Sequence, residues 1–447
     1  MTEIVSFLEN SFDQLVAAIA DQLKPDEHFT LSLNSEQSQF TRFNHAKVRQ
    51  TGSVNDGSLS LTLMRDQRSS DHQFPFTGDL EVDRPRAKTA LEALRKDVSQ
   101  LPANPYLVLP SGKATSQEIY TGQLLTIDEV VPTLLPVVAD LDFTGLYAAG
   151  LMIRAYADSV GQKHWFATES FSLDYSLFTP NGQAVKGTFA GDRWDQSAYA
   201  AKIQASRLQL DRLSQPPKSI SRGRYRTYLA PAAIAELVYM LSWGGVSEAS
   251  YQQGGSCLGA MRRGEKKLSP QFTLRENFKH GLVPRFNELG EVAPLELPIV
   301  QSGELVNLLT SAETAKEYKL VANGADQGET LRSPEISPGE LSSDQILATL
   351  GTGLYLSNLH YLNWSDRPTG RITGMTRYAC FWVEEGKIVA PIENLRFDDS
   401  FYQFWGENLA GLTNFQEFIP DVGTYENRNL GGTWVPGMIV DDFTYTL

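Results

Sequence analysis

Apolar residues recur every three or four positions in several stretches of the chain, and this spacing predicts amphipathic helices. A further stretch, residues 124–141, has the same spacing but contains Pro132 and Pro136, so it predicts a helix in two pieces. Proline is favoured at the first helical position, and Pro231 therefore marks the start of one helix. The other stretches with this spacing cover residues 4–23, 84–101, 195–213 and 231–241.

Strict alternation of apolar and polar residues predicts two β-hairpins in the first half of the chain. The first would turn at residues 55–57, because Asn-Asp-Gly favours a tight turn between residues 30–50 and 58–63. The second would turn at residues 180–182, Pro-Asn-Gly. In the second half, short strands and turns predominate, and the polar residues 324–343 predict a long exposed loop.

These elements predict an α+β protein in two parts. Residues 1–215 would form an N-terminal domain of helices and antiparallel strands, which could divide near residue 110. Residues 216–226 carry two prolines, a glycine and several basic residues, and they are predicted to be a linker. Residues 227–447 would form a C-terminal domain that is mostly antiparallel β.

Composition narrows the function without naming it. The 447 residues are 41% hydrophobic, and 39 Lys and Arg against 53 Asp and Glu give a net charge of −14. This charge argues against nucleic acid and against an anionic membrane surface as partners. The chain has no run of about 18 apolar residues, its first residues lack the features of a signal peptide, and it has two cysteines, so we expect a cytoplasmic protein.

The residues alone identify no reaction. The six histidines are too far apart for a helical pair of metal ligands, and the chain has neither a Gly-x-Ser-x-Gly nucleophile motif nor a glycine-rich phosphate loop. We therefore predict no metal site in this chain. Cys257 and Cys380 could act as thiol nucleophiles, although burial in the core is the usual role of an isolated cysteine.

A series of short segments resembles, in order, the motifs of one known family. Residues 381–388, FWVEEGKI, are similar to the pattern F-W-I-E-N-G-x-I, and residues 432–438, GTWVPGM, to P-S-x-x-x-x-G-M. Residues 43–63 match more loosely. The chain thus resembles the TldD/PmbA family, whose PmbA side is also called TldE, and the resemblance implies the fold of that family. The other similar segments are residues 253–258, 263–270, 272–274, 286–290, 301–305, 371–374 and 391–395.

The resemblance also implies what this chain lacks. TldD-type subunits carry H-E-x-x-x-H on the helix that opens the C-terminal domain, where two histidines and a later cysteine bind zinc and the glutamate acts as general base. The matching positions here keep Glu236 but replace the histidines by Ala235 and Met240, and the cysteine position falls near Arg377. The chain therefore resembles the PmbA/TldE side, with no cofactor of its own and zinc expected in a TldD-like partner.

From this resemblance we expect the non-zinc subunit of a cytoplasmic two-chain metallopeptidase acting on short or unfolded peptides, with no catalytic residue of its own. It would form a heterodimer with a TldD-like zinc subunit, or a homodimer. Asn358, His360 and Arg377 are predicted to face the peptide cavity. Two alternatives stay open: a homodimeric family member that binds peptides or proteins without catalysis, and a cysteine-dependent hydrolase.

Overall fold

The computed structural model describes residues 2–446 and contains two β-sheets with helices, which confirms the α+β class. Within these residues no helix is long and apolar enough to cross a membrane. The helices are α1 (Thr2–Ala20), α2 (Leu80–Val98), α3 (Ile127–Val138), α4 (Gln196–Leu213), α5 (Pro231–Leu241), α6 (Glu248–Gln252), α7 (Gly259–Arg262), α8 (Ala312–Tyr318) and α9 (Ile346–Leu350). The strands are β1 (His28–Asn44), β2 (Lys47–Arg65), β3 (Arg68–Pro75), β4 (Thr115–Tyr120), β5 (Asp142–Asp158), β6 (Lys163–Phe178), β7 (Ala184–Gly191), β8 (Gly223–Leu229), β9 (Leu274–Asn277), β10 (Glu296–Gln301), β11 (Glu304–Leu305), β12 (Pro334–Ile336), β13 (Gly353–Leu356), β14 (Asn358–Asp366), β15 (Arg371–Arg377), β16 (Phe381–Glu384), β17 (Lys387–Pro391), β18 (Arg396–Ser400), β19 (Leu409–Pro420) and β20 (Gly432–Tyr445).

Strands β1 to β7 form the first sheet. Strands β3, β2, β1, β5, β6 and β4 lie side by side, and β7 also pairs with β6. Alternation places Leu31 and Leu33 of β1 in the core with α1 and α2, and it places Thr30 and Ser32 on the opposite face. One face of the sheet is therefore apolar and covered by helices, whereas the opposite face is polar on β1 and β2 but carries the buried Tyr156 and Phe166 on β5 and β6. Helices α1, α2, α4 and α5 form where the spacing predicts them.

The first hairpin turns at His45 and Ala46, so the predicted turn at residues 55–57 is wrong. Those residues continue β2 and pair with residues 35–37 of β1. His45 and Ala46 have φ values of 50° and 51°, a left-handed conformation that is uncommon outside glycine. The imidazole Nδ1 of His45 lies 2.7 Å from Asp142 Oδ1. Contacts with the neighbouring strand therefore set the turn, against the local sequence preference.

Helix α3 is continuous through Pro132 and Pro136, so the prediction of two pieces is wrong. Each proline removes a backbone N–H donor from the helix. Val130, Leu134 and Val138 nevertheless follow one another at intervals of four residues and are fully buried. Packing of this stripe maintains the helix despite the missing hydrogen bonds.

Part of strand β2 has an open edge. Strand β3 pairs with β2 only from Ser58 to Arg65, and β1 occupies the other side of β2. Residues 47–56 therefore have no strand on their outer side within the part of the chain that the structure describes. Nearly all of their side chains are exposed.

Strands β8 to β20 form the second sheet, and the long strand β20 is its centre. Strand β20 pairs with β8, β12, β18 and β19. Residues 214–222 connect α4 to β8, which begins at Gly223 inside the predicted linker, residues 216–226. The domain boundaries themselves stay a prediction.

The segment predicted as a long exposed loop, residues 324–343, is buried over much of its length, so that prediction is wrong. Its residues 334–336 form strand β12, which pairs with β9 and with β20. Glu329, Ser333 and Glu335 are only 1%, 2% and 4% exposed. The polar composition is misleading because these side chains are hydrogen-bonded inside the protein.

Arg428 ties the second sheet to the first. It lies in the loop between β19 and β20 and is 4% exposed. Its guanidinium donates to Ser170 O at 3.1 Å, to Gly150 O at 3.4 Å and to Ser38 Oγ at 3.3 Å. Burial lowers the pKa of Arg428 to about 10. The side chain thus joins a loop of the second half to three strands of the first sheet.

We expect Arg428→Ala to lower the free energy of unfolding by about 3 kcal/mol, because buried acceptors lose their donor and a cavity replaces the side chain. Urea denaturation followed by tryptophan fluorescence measures the change. Arg262→Ala is the matched control, since Arg262 is exposed, and it should change the free energy by less than about 0.5 kcal/mol. Equal stability of the two variants would contradict the role given to Arg428.

Candidate functional site

A groove of about 710 Å³ lies along one side of α5. We call it the α5 groove. Its first wall is the exposed side of α5, and its other walls are residues 330–334, 419–422 and 429–433. Among the described cavities it is the one that contains positions of the missing zinc motif.

Helix α5 presents two different faces because its apolar residues recur at helical spacing. Pro231 occupies the first turn, as its sequence predicts. Ile234, Leu237 and Val238 are fully buried in the core of the second half. The opposite face therefore carries the side chains that border the groove, including Tyr239.

Two aromatic side chains form the rim of the groove. Tyr239 is 60% exposed and Trp243 is 41% exposed, although both are large and apolar. Their ring centroids are 6.0 Å apart, and the rings are nearly perpendicular at 77°. An exposed aromatic pair beside a groove is a typical feature of surfaces that bind other chains.

The missing zinc motif divides between the groove and the core. Ala235 borders the groove and is 8% exposed, whereas Met240 is 1% exposed and lies in the core. Glu236 opens into the groove, and partial burial between the walls raises its pKa, while Lys186 opposes the shift. Within residues 2–446 no three His, Cys, Asp or Glu side chains are grouped to hold a metal ion. The donor set does not fit zinc, because Ala235 and Met240 supply no imidazole nitrogen.

The predicted cavity residues lie together on β14 and β15, and they do not belong to the lining of the α5 groove. Asn358 on β14 is the cross-strand partner of Arg377 on β15, and His360 lies opposite Met375. Arg377 borders a separate cavity of about 450 Å³ and lies 4.9 Å from the ring centroid of Tyr378. Burial and the charge of Arg377 lower the pKa of His360. Their role in peptide contact stays a prediction.

Neither cysteine has the surroundings of a nucleophile. Cys257 is fully buried and Cys380 is 3% exposed. Burial raises the pKa of the Cys257 thiol far above its usual value and that of Cys380 to about 11. Reactive thiols need the opposite shift, because the thiolate is the nucleophile. The geometry thus offers no support for a cysteine-dependent hydrolase.

Sequence reasoning missed two buried carboxylates that hold the wall formed by residues 330–334. Glu276 on β9 is 2% exposed and accepts hydrogen bonds from the backbone N–H groups of Arg332, at 2.8 Å, and Ser333, at 2.6 Å. The carboxylate fixes the wall by its backbone, whatever side chains the wall carries. A lone glutamate in a short strand gives no sequence signal for this role.

Glu329 is the second of these carboxylates and is 1% exposed. It accepts hydrogen bonds from Ser247 Oγ at 2.6 Å, Ala249 N at 2.9 Å and Ser311 N at 2.8 Å. It therefore joins the residues before the wall to α6 and α8. Five backbone or hydroxyl donors in all are satisfied by Glu276 and Glu329.

Arg332 is the fixed cation of the groove. Its guanidinium donates to Gly324 O at 2.7 Å and to Phe286 O at 3.2 Å, and it lies 5.0 Å from the ring centroid of Phe278. Arg332 also borders the next cavity, of about 390 Å³, which we call the middle cavity. Arg154 of the first sheet lines the middle cavity, and burial lowers its pKa to about 10. The middle cavity, which lies between the two halves, and the groove, which lies within the second half, thus share the wall that carries Arg332.

Comparison with known sequences identifies the second half of the chain. The sequence model of the PmbA/TldA metallopeptidase C-terminal domain matches residues 222–447, which is more than half of the 447 residues. No curated protein sequence matches the chain.

Three solved structures share the fold of the whole chain. TldE from Thermococcus kodakarensis has a TM-score of 0.78 at 12% identity, and the match covers 98% of this chain and 100% of that one. A "putative modulator of a DNA gyrase" from Thermotoga maritima MSB8 has a TM-score of 0.77 at 14% identity, with coverage of 98% and 100%. A "putative modulator of DNA gyrase" from Bacteroides thetaiotaomicron VPI-5482 has a TM-score of 0.77 at 15% identity, with coverage of 98% and 98%. At these identities the likeness establishes the fold alone.

Glu276 predicts a pH dependence of stability. Burial raises the pKa of its carboxyl from 4.5 to about 7, although Arg332 and two backbone N–H groups favour the ionised form. Between these values the folded protein keeps a proton that the unfolded chain releases, so stability is lost as the pH rises through about 7. The full loss is about 3 kcal/mol.

The free energy of unfolding at pH 5 and pH 8 tests this expectation. Wild-type protein should lose about 2–3 kcal/mol more over this range than Glu276→Gln, which cannot titrate. Glu317→Gln is the control, because Glu317 is exposed on α8 and its removal should leave the pH dependence unchanged. An unchanged pH dependence in Glu276→Gln would show that this carboxyl does not titrate in the expected range.

Proposed function

The chain belongs to the PmbA/TldA metallopeptidase family, called TldD/PmbA above, and from this premise we propose that it is the non-zinc subunit of a cytoplasmic two-chain metallopeptidase. Its partner would be a TldD-like chain that carries the zinc. The substrate would be short or unfolded peptides, which the two chains would enclose together.

The observation that carries this proposal is the chemistry of the α5 groove. The groove lies beside the helix on which TldD-type chains carry H-E-x-x-x-H, and here that helix supplies Glu236 without either histidine. A carboxylate can act as general base on a metal-bound water only when the metal is present. Since Ala235 and Met240 supply no ligand, hydrolysis is assigned to the partner.

The groove itself supports peptide binding. The Tyr239 and Trp243 rings give an apolar surface at its rim, and Arg332 provides a fixed positive charge within it. Glu236 adds a hydrogen-bond acceptor that is open to the groove. A chain of these properties would orient an extended peptide and close the cavity, without breaking a bond.

The names of the structural relatives support the non-zinc role of this chain, and they do not identify its binding partner. The relative called TldE agrees with the non-zinc side of the family that the motif loss indicates. The two others are described as modulators of DNA gyrase, but a net charge of −14 gives no support for DNA contact. Contact with another protein chain is compatible with either description.

Zinc content tests the division of labour between the chains. We expect the purified chain to contain no stoichiometric zinc, and the complex with a TldD-like chain to contain one zinc per pair, because only the partner has the ligands. Elemental analysis of both preparations gives the two values. Stoichiometric zinc in this chain alone would overturn the proposal, and a stable homodimer that ignores the partner would favour the homodimeric binding protein instead.

Peptide affinity tests the groove. We expect Tyr239→Ala and Trp243→Ala each to weaken binding of an unstructured peptide by about tenfold, because each removes an exposed aromatic surface from the rim. Titration calorimetry on the full chain measures the affinity. Phe7→Ala is the matched control, since Phe7 is 54% exposed but lies on α1 outside the groove, and it should leave the affinity unchanged. Equal losses in all three variants would contradict a specific role for the rim.

A further inference from the structure

A second cavity, whose lining includes seven residues with hydroxyl groups, lies between the first sheet and the second half. It has a volume of about 380 Å³, and we call it the hydroxyl chamber. Its sheet wall consists of Thr30, Ser32, Ser60, Thr62, Met64, Ser69, Ser70 and Asp71. Its opposite wall includes Asn287, Glu288, Ser311, Glu313 and Gln327.

The strand register explains the concentration of polar groups. Thr30 of β1 pairs with Thr62 of β2, and Thr62 pairs with Asp71 of β3. Directly opposed residues in neighbouring strands have Cβ atoms about 5 Å apart. The three side chains therefore form a row across the floor of the chamber. Ser32 and Ser60 form the neighbouring pair.

The polar groups of this floor are free to bind something else. Thr30 is 4% exposed and borders the chamber, yet its hydroxyl has no side-chain hydrogen bond to any other described residue. Ser32, Ser60 and Thr62 likewise have none within residues 2–446. Ser32, Ser60 and Thr62 are half-buried, whereas Thr30 is buried, and because buried hydroxyl groups are normally satisfied, the unpaired Thr30 hydroxyl beside the cavity indicates a ligand site.

The charges of the chamber are all of one sign. Asp71, Glu288 and Glu313 line it, and the lining contains no Lys, Arg or His. The nearby Lys316 is engaged elsewhere, since its ammonium donates to Leu107 O at 2.7 Å. Burial raises the pKa of Glu288, because desolvation penalises its charge more than Arg332 and the backbone N–H of Gln327 stabilise it. A bound cation would remove this penalty.

The shape of the lining favours an organic cation over a metal ion. Within the described residues no three carboxylate, His or Cys side chains are grouped closely enough to hold a metal. The lining offers hydroxyl and carboxylate oxygens as acceptors, and an ammonium group donates three hydrogen bonds to such acceptors. The segment 104–108 closes one side, because Asn104 Nδ2 donates to Glu313 Oε1 at 2.7 Å.

The chamber is also a neighbour of the peptide groove. Ser32, Asn287 and Glu288 border both the chamber and the middle cavity, and Arg332 borders both the middle cavity and the α5 groove. Shared lining residues therefore link the three cavities, of which the chamber and the middle cavity lie between the two halves and the groove lies within the second half. We propose that the hydroxyl chamber binds a primary ammonium group of the ligand, such as a peptide N-terminus. Only the statement that the ammonium group belongs to a peptide rests on the proposed function.

Titration calorimetry on the full chain tests the proposal with three probes: an unstructured peptide with a free N-terminus and no lysine, the same peptide acetylated, and 1,5-diaminopentane. We expect the free-amine peptide to bind about tenfold more tightly than the acetylated one, since it adds charge-assisted hydrogen bonds. The double variant Asp71→Asn, Glu313→Gln should abolish this difference. Glu317→Gln, an exposed position on the same helix as Glu313, should retain it.

A milder second variant keeps the test valid if the double variant does not fold. Thr62→Val preserves the shape of the side chain and removes one hydroxyl from the floor, and it should reduce the preference for the free amine about threefold. Circular dichroism verifies that each variant is folded.

The outcomes separate the two proposals. Equal affinity for both peptides, with the effect of Tyr239→Ala retained, would overturn the chamber and leave the peptide groove intact. Binding of 1,5-diaminopentane that the double variant abolishes, without binding of either peptide, would support the chamber with a free amine as its ligand and would count against the peptide role. Absence of binding by all three probes would overturn both.

Discussion

The walls of the α5 groove and the middle cavity depend on two buried carboxylates whose hydrogen-bond donors are mostly backbone N–H groups. Glu276 and Glu329 are almost fully buried, and each accepts hydrogen bonds from the main chain. A buried charge is costly unless donors surround it, so each carboxylate fixes several backbone segments at once. The position of Arg332, and with it the shared wall of the groove and the middle cavity, follows from the contact with Glu276.

Burial explains which elements of the fold could be predicted from the sequence. Regular spacing of apolar residues located four helices, because burial of an apolar stripe decides whether a helix forms. The same principle explains α3, where buried valines and a leucine outweigh two prolines. Residues 324–343 were assigned to the surface because polar composition was equated with hydration, whereas Glu329 and Glu335 are hydrogen-bonded inside. The turn at His45 depends on a contact with Asp142, which is distant in sequence.

The candidate site could be predicted only in part, because the sequence gives the order of the residues but not their burial or their strand register. Resemblance predicted that Ala235 and Met240 occupy the positions of the zinc ligands, because such a comparison rests on the order of residues alone. It could not show that Ala235 borders a groove while Met240 is packed in the core. Likewise, the pairing of Asn358 with Arg377 and the row of hydroxyls on the first sheet depend on strand register, which a single sequence does not reveal.

The open edge of β2 has a consequence for the protein in concentrated solution. Residues 47–56 expose unpaired main-chain donors and acceptors, and such an edge can recruit a strand from another molecule and start aggregation. Their composition counteracts this tendency, since Lys47 and Arg49 introduce charge and Gly52 weakens strand propensity. Residues 47–56 are exposed and do not pack against the core, so their hydrophilic side chains contribute to the solubility of the molecule.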